Sequence, residues 1–212
     1  MAVEQKPDER IHPSRRERQA DQTRREILHA ARTLFAKNGY AGTTVKQVAD
    51  EAGVSSQTVY DSVGSKRALV LQLNDMIDAE AGIADIAKRA ATERDPQVVI
   101  AIPAQITCAI LEHSADIVRA IFSGADTEPE LRDIQVEGDR RHREGAARIV
   151  HELHAHGALR ADVTEREASE SLSALTDVSL GLILFDRYDW SLERIESWMN
   201  DSACRILFNP PK

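Results

Sequence analysis

A short polar run in the first third of the chain has the chemistry needed to read the edges of DNA bases. Its members carry hydroxyl or amide groups that donate and accept hydrogen bonds: Ser55, Ser56, Gln57, Thr58 and Tyr60. Glutamine pairs well with adenine in the major groove, so Gln57 is the first candidate for a base contact. Thr44 and Lys66 flank the run and are candidates for phosphate contacts, through a hydroxyl at a helix start and through a cation.

The elements around this run predict how it is held. Apolar residues recur at helical spacing just before it, at Val45, Val48, Ala49 and Ala52. Thr44 and Gln47 have the spacing of a capping box, and Gly53 suits the left-handed turn that ends a helix. Ser55 then caps a second, short helix whose Val59 faces inward. Two helices joined by a glycine-containing turn predict a helix-turn-helix, with its second helix in the major groove.

Further residues extend this pattern on both sides. The full set is Ile27, Ala31, Leu34, Phe35, Gly39, Thr43, Thr44, Val45, Val48, Ala49, Ala52, Gly53, Val54, Ser55, Thr58, Tyr60, Lys66 and Leu69. In these residues the chain resembles the TetR family of transcriptional regulators, over about residues 21–73. Residues 60–64 depart from the family pattern, because Val63 is smaller than the usual phenylalanine and Asp61 adds a negative charge near the expected DNA face.

The resemblance implies an all-α protein with an amino-terminal helix-turn-helix domain of three helices at 21–68. It also implies a helical ligand-binding and dimerisation domain at 69–212. The expected function is that of a dimeric repressor, which a small-molecule effector of unknown identity releases from its double-stranded DNA operator. No cofactor or metal is expected.

Composition favours helices throughout the chain. Aromatic residues make up 4% of the sequence, and prolines are sparse between residues 14 and 209. Start signals predict about nine helices, beginning near Thr23, Thr44, Ser55, Ser65, Asp95, Ser114, Thr127, Thr164 and Ser191. Pro103 is expected to kink the fifth helix or delay its start. The alanines of 82–94 leave open whether the fourth helix continues through them.

Charge is unevenly distributed along the chain. The net charge is −8, but residues 1–66 contain 11 Lys and Arg against 9 Asp and Glu, whereas residues 67–212 contain 16 against 26. The basic end therefore coincides with the helix-turn-helix, where phosphate neutralisation requires it. Residues 1–20 are polar and expected to be disordered. Their basic residues Arg15, Arg16 and Arg18 are interpreted either as an arm that reaches a minor groove or phosphates, or as a solvated tail.

Two sets of small or apolar residues in the last two thirds are candidate binding surfaces. One set would form a four-helix interface with a second copy, or alternatively an ordinary intrachain core: Ser171, Ala174, Val178, Gly181, Ile195 and Met199. The other would line an effector pocket, or alternatively belong to plain core: Ile102, Ile106, Ile110, Ile121 and Phe122.

Several other functions are disfavoured. His151, His154 and His156 indicate a solvated helix end more than a metal site, because His156 leaves the face that the other two share. A metal-responsive regulator and a helix-turn-helix that docks a protein stay open as alternatives. No nucleophile elbow, phosphate-binding loop or zinc-protease motif is present, so an enzyme is not expected.

The compartment follows from similar arguments. Cys108 and Cys204 lie in apolar helical runs, which favours buried thiols over a bridge. The first residues are charged and lack the apolar core of a signal peptide, and no apolar run was expected to reach the roughly 18 residues that span a bilayer. These features predict a cytoplasmic protein without a membrane partner.

Overall fold

The structure is a computed structural model that describes residues 14–209. Within this range it contains ten helices and no strand, which confirms the all-α prediction. The helices are α1 (Arg15–Asn38), α2 (Val45–Glu51), α3 (Ser56–Ser62), α4 (Lys66–Glu80), α5 (Ile83–Thr92), α6 (Pro96–Gly124), α7 (Pro129–Ala155), α8 (Glu165–Leu175), α9 (Val178–Tyr188) and α10 (Leu192–Leu207).

Most predicted helix starts are confirmed by side-chain caps. Hydroxyl or carboxylate oxygens accept a backbone N–H of the first turn at Thr44, Ser55, Ser65, Asp95, Thr164 and Ser191. Each such cap stabilises its helix by about 1 kcal/mol. Two predicted starts are wrong. A capping box of Ser14 and Glu17 begins α1 earlier than Thr23, and α7 begins at Pro129 rather than being capped by Thr127.

The beginning of α1 also corrects the expected disordered arm. Residues 15–20 are helical, because the Ser14 hydroxyl accepts the Glu17 amide and the Glu17 carboxylate accepts the Ser14 amide. Arg15, Arg16 and Arg18 therefore lie on the exposed first turns of a helix. The remainder of the predicted arm, residues 1–13, lies outside the described range.

The predicted count of about nine helices agrees with the fold, but the partition differs. Residues 83–92 form a separate α5, because Gly82 adopts a left-handed conformation between two helices. The predicted fifth and sixth helices are joined in α6 across a kink at the buried Ser114, the predicted start of the sixth, which is the only residue of α6 with non-helical φ and ψ. The expected distortion at Pro103 is thus wrong. The predicted eighth helix is broken before Asp177, which caps α9.

Helix α6 is the centre of the molecule and contacts α1, α4, α5, α7, α9 and α10. The largest apolar core joins α1–α4 to α6 and α7, through Ile117, Ile121, Ala125, Leu131 and Ile134. Two smaller cores lie farther along the chain, one around Val150 and Leu172 and the other around Ile195 and Met199. A boundary near residue 68, as predicted, would cut through the side chains of the first core.

Two helical stretches are long and apolar enough to cross a membrane by length and composition alone. They are Pro96–Gly124 and Glu165–Tyr188. The expectation that no apolar run is long enough to span a bilayer is therefore wrong. In the first, half of the most apolar window is buried inside the protein. A core helix of a soluble protein has the same properties, and the central position of α6 accounts for its composition.

Candidate nucleic-acid interface and internal cavity

Helix α3 presents the predicted base-reading side chains to solvent. Gln57 and Tyr60 are exposed, Tyr60 by 52%, while Val59 on the opposite side is fully buried. Ser55 caps the helix, since its hydroxyl accepts the Thr58 amide at 3.0 Å. A helix of this length is not stable alone, so the burial of Val59 holds it in place. Its polar face is free to enter a groove.

The angle between α2 and α3 is fixed by local contacts. Thr43 is buried before α2, and its hydroxyl donates to the Gly39 carbonyl at 2.9 Å, which ties α2 to the end of α1. Gly53 supplies a positive φ of 67° in the turn, a conformation that side chains disfavour. Thr44 begins α2 in a capping box with Gln47 and is exposed. Its hydroxyl lies at a helix start where it can meet a phosphate.

The side chain of Gln57 is already engaged within its own helix. Its amide nitrogen donates to Asp61 at 2.8 Å, one turn farther along the exposed face. A base contact through this nitrogen competes with that bond, and the Asp61 carboxylate repels phosphates. We therefore expect Asp61, which departs from the family pattern, to moderate DNA affinity.

We expect Asp61→Asn to strengthen DNA binding by about fivefold at low salt, because a negative charge beside the phosphates is removed. Fluorescence anisotropy with a duplex, measured across a salt series, checks this result. Asp85→Asn on exposed α5 removes the same charge away from α3 and serves as the control. Equal gains in both variants would mean that only net charge matters.

Lys66 begins α4 next to this surface. Its ammonium lies 4.0 Å from the centre of the Tyr40 ring, a cation–π contact, and partial burial lowers the pKa of the lysine. The guanidinium of its neighbour Arg67 forms a salt bridge with the carboxylate of Asp133 of α7 at 2.7 Å. Lys66 makes no salt bridge with the described residues, so its charge stays available to a phosphate at the α4 start.

A cavity of about 770 Å³ lies among α4, α5, α6, α7 and the start of α9. All of the predicted pocket residues line it: Ile102, Ile106, Ile110, Ile121 and Phe122. Its volume falls within the range that holds drug-sized molecules. The assignment of the cavity to an effector stays a prediction, but the arrangement of its apolar lining from α6 agrees with it.

The opposite wall of the cavity is one stripe of α7, which sequence reasoning missed. Residues repeat along it at helical spacing: Gln135, Gly138, Asp139, His142, Gly145, Ala146, Ile149 and Leu153. Added side-chain carbon would meet no atom within 4 Å at Gly138 and only the end of Arg148 at Gly145. Glycine within a helix costs about 1 kcal/mol relative to alanine. These two glycines, seven residues apart, are the sequence signal that could have revealed the wall.

Carboxylates dominate the polar groups of this cavity. Asp78 accepts a hydrogen bond from Arg141 at 2.9 Å, while burial raises the pKa of Asp78. Burial also raises the pKa of Asp139, and the negative charge of Asp177 raises it further. Asp139 has no hydrogen bond or salt bridge with the described residues, although Arg143 and His142 lower its pKa from a distance. The α7–α9 corner is therefore electronegative.

A cluster of ionic contacts joins the helix-turn-helix to the kink of α6. Arg32 of α1, 18% exposed, donates two bonds to Asp116, at 2.8 and 2.9 Å, and one to Glu80 at the end of α4. It also donates to the His113 carbonyl, and Ser114 donates to Glu80 at 3.3 Å. We call these contacts the Arg32 clamp. The clamp joins α1, α4 and α6 immediately beside the cavity residues Ile110 and Val118.

The predicted dimer residues divide into two groups, and half of the prediction is wrong. Gly181, Ile195 and Met199 are buried within the single chain, with Ile195 and Met199 at 0% exposure. An added carbon at Gly181 would lie 2.9 Å from Leu111, so this glycine serves a close α6–α9 contact. Ala174 is exposed, while Ser171 and Val178 are partly exposed. A different set of apolar side chains faces outward on α9 and α10: Ile183, Tyr188, Trp198 and Ile206.

The histidines of α7 are not brought together. His151 contacts Glu165 at 2.9 Å, and His156 contacts the carbonyl of Glu152. His142 contacts the Ser173 carbonyl at 2.9 Å and faces the cavity instead. Among residues 14–209 no group of three or more His, Cys, Asp or Glu side chains has the arrangement of a metal site.

Cys108 and Cys204 are both free thiols. Cys108 is buried, and burial raises its pKa to about 12, whereas Cys204 is partly exposed.

Residues 27–73 match the family described as bacterial regulatory proteins, tetR family. The matched segment contains the buried and exposed faces of α2 and α3 described above. Over these residues the chain resembles the TetR family. A similar relative is the HTH-type transcriptional repressor KstR2 of Rhodococcus jostii, 45% identical over 47 residues. That alignment spans 22% of this chain and 23% of the relative, about a quarter of its length.

Solved structures extend the likeness of fold to the rest of the chain. NalD, the secondary repressor of the MexAB-OprM multidrug efflux pump in Pseudomonas aeruginosa, has a TM-score of 0.73 at 21% identity, over 92% of this chain and 100% of that one. A transcriptional regulator from Saccharomonospora viridis in complex with choline has a TM-score of 0.71 at 20% identity, over 90% and 100%. At these identities the comparison establishes a shared architecture.

Proposed function

We propose that this protein is a dimeric transcriptional repressor that releases its DNA operator when a small molecule enters the α4–α7 cavity. The observation that carries the proposal is the exposed polar face of α3, set on a buried Val59 within a family-matched helix-turn-helix. The repressor named among the relatives supports the direction of regulation. Such a protein acts on chromosomal DNA, so we place it in the cytoplasm.

A second copy of the chain is required for this mode of DNA recognition. Two recognition helices that enter successive major grooves must lie about 34–36 Å apart. The outward side chains of α9 and α10, which include Ile183 and Trp198, form the face that we assign to the two-fold interface, together with Ala174 of α8. An isologous contact would bury these apolar side chains from both copies.

The cavity and the helix-turn-helix share a mechanical connection. Ile110 and Val118 of the cavity wall flank the Ser114 kink, and the Arg32 clamp attaches α1 to the residues around it. A ligand that favours another bend of α6 would shift α1 and the recognition helix together. The ligand would stabilise a conformer in which the two recognition helices are no longer about 34–36 Å apart. The free energy of DNA binding would then become less favourable by the coupling free energy between the two sites.

We expect Gln57→Ala to relax specificity at one base position, costing about 1–3 kcal/mol on the preferred sequence only. Lys66→Ala should weaken binding to all sequences alike and reduce the salt slope by about one. Operator selection from a random duplex pool, followed by affinity measurements in a salt series, separates the two effects. Gln22→Ala on exposed α1 and Lys88→Ala on α5 are matched controls.

The same measurements decide the proposal itself. Salt-dependent, sequence-selective binding by a dimer is the supporting result. A chain that remains monomeric and ignores duplex DNA at low ionic strength would refute it. Salt-insensitive capture of a protein partner in the absence of DNA would instead favour a protein-docking helix-turn-helix.

A further inference from the structure

We propose that the α4–α7 cavity binds a lipophilic cation, an ammonium group on an apolar body, with its positive end beside Asp139 and Asp177. The inference rests on the proposed function, since it names the chemical class of the effector. It depends on three properties of the cavity: an apolar lining, carboxylates that form no salt bridge within residues 14–209, and positive side chains that are already paired or exposed.

The lining selects an apolar body. The α6 wall is mostly apolar and includes four isoleucines and Phe122, and α5 and α9 add Ile83 and Val178. On α7, the open space over Gly138 and near Gly145 widens the cavity between these walls. Burial of hydrocarbon in such a space favours binding in proportion to the apolar surface removed from water. A small polar metabolite would gain little from this lining.

The carboxylates supply the electrostatic anchor. Asp139 faces the cavity from α7 without a hydrogen bond or salt bridge to any described residue. Asp177 faces it from the start of α9, and one of its oxygens caps that helix by accepting the Ser179 amide at 2.8 Å. Its other oxygen has no hydrogen bond within residues 14–209. Two partly buried carboxylates near each other are stabilised by a cation placed beside them.

The positive groups of the wall do not offer the converse anchor for an acid. Arg141 is held by Glu137 at 2.8 Å and by Asp78 at 2.9 Å. Arg94 and Arg148 are exposed to solvent, and Arg94 donates to the backbone carbonyl of Glu93 at 3.1 Å. His142 contacts the Ser173 carbonyl, and Arg143 is exposed. A carboxylate ligand would therefore have to compete with Glu137 and Asp78 for Arg141, and the other carboxylates of the cavity would repel it.

Binding of three probes with the same alkyl chain tests the inference: decyltrimethylammonium, decanol and decanoate. Isothermal titration calorimetry on the purified full chain, without DNA, should show the cation binding at least about tenfold more tightly than decanol, with decanoate weakest. Asp139→Asn should weaken the cation by about tenfold and leave decanol unchanged. Asp177→Asn should behave similarly, since asparagine preserves the helix cap.

Glu144→Gln is the matched control, because this rim carboxylate is already paired with Arg140 at 2.6 Å. It should change binding of the cation by less than about twofold. Equal binding of cation and decanol, tighter binding of decanoate, no binding of the cation, or equal losses in Asp139→Asn and Glu144→Gln would each overturn the inference. Because DNA is absent, failure to bind an operator would contradict the proposed function separately, whatever the probes do.

Discussion

Replacing Arg32 by alanine is expected to lower the free energy of unfolding by about 2 kcal/mol and to weaken operator binding by about tenfold. The guanidinium is mostly buried and is the shared partner of Asp116, Glu80 and the His113 carbonyl. The hydrogen bonds with Asp116 and Glu80 raise the pKa of Arg32, so the arginine stays charged. Its loss would leave these two carboxylates without their shared cation. Urea unfolding and fluorescence anisotropy measure the two effects.

Arg119 provides a control of similar geometry for this variant. It makes two bonds to Asp186 at 2.7 and 2.8 Å, but it is 43% exposed and joins α6 to α9 rather than to α1. Arg119→Ala should cost less than about 1 kcal/mol, as exposed pairs do. If Arg32→Ala lost stability yet kept full operator affinity and an unchanged effector response, the clamp would be a structural contact without a role in coupling.

Gly138→Leu should abolish binding in the cavity while operator affinity is maintained. The new side chain would project into the open space above α7 and occupy the volume that a ligand needs. N-phenyl-1-naphthylamine, a neutral fluorescent probe of apolar sites, should bind the variant at least about tenfold more weakly than the original chain. Operator binding, measured by anisotropy, should then no longer respond to any effector of the original protein.

Gly138→Ala separates the loss of space from the loss of glycine. Its single methyl group meets no atom within 4 Å, so it should leave probe binding intact. It should also raise the free energy of unfolding by about 1 kcal/mol, because alanine favours helices more than glycine does. Undiminished probe binding in Gly138→Leu would show that the probe binds elsewhere.

Local signals in the sequence predicted much of this architecture. Caps such as Thr44, Ser65 and Thr164 act through a backbone amide three residues away, so their consequences can be seen in a short segment. The same holds for the helix-turn-helix, where Gly53 permits the left-handed turn after α2 and Val59 marks the buried side of α3. The sequence left open whether the isoleucines of α6 line a pocket or belong to plain core, and the structure places them along a cavity.

Long-range partners were beyond such reasoning. Arg32 and Asp116 are 84 residues apart, and nothing near either residue indicates the other. Small residues at helical spacing indicate close helix approach, but the pattern is the same whether the neighbour belongs to this chain or to a second copy. Gly181 was therefore assigned to a dimer interface although it contacts α6. Asp139 was missed because an acidic residue on a charged helix resembles a solvated surface.

The core that α1–α4 share with α6 and α7 limits how the helix-turn-helix domain can be exchanged between proteins. A fragment that ends after α4 would leave the hydrophobic sides of Leu73 and Ile77 bare, since Ile117, Leu131 and Ile134 normally cover them. Chimeras that graft only the residues up to the end of α4 onto a foreign sensor should consequently aggregate or melt early. Successful swaps would have to carry matching portions of α6 and α7, so operator choice and sensor identity are inherited as one unit.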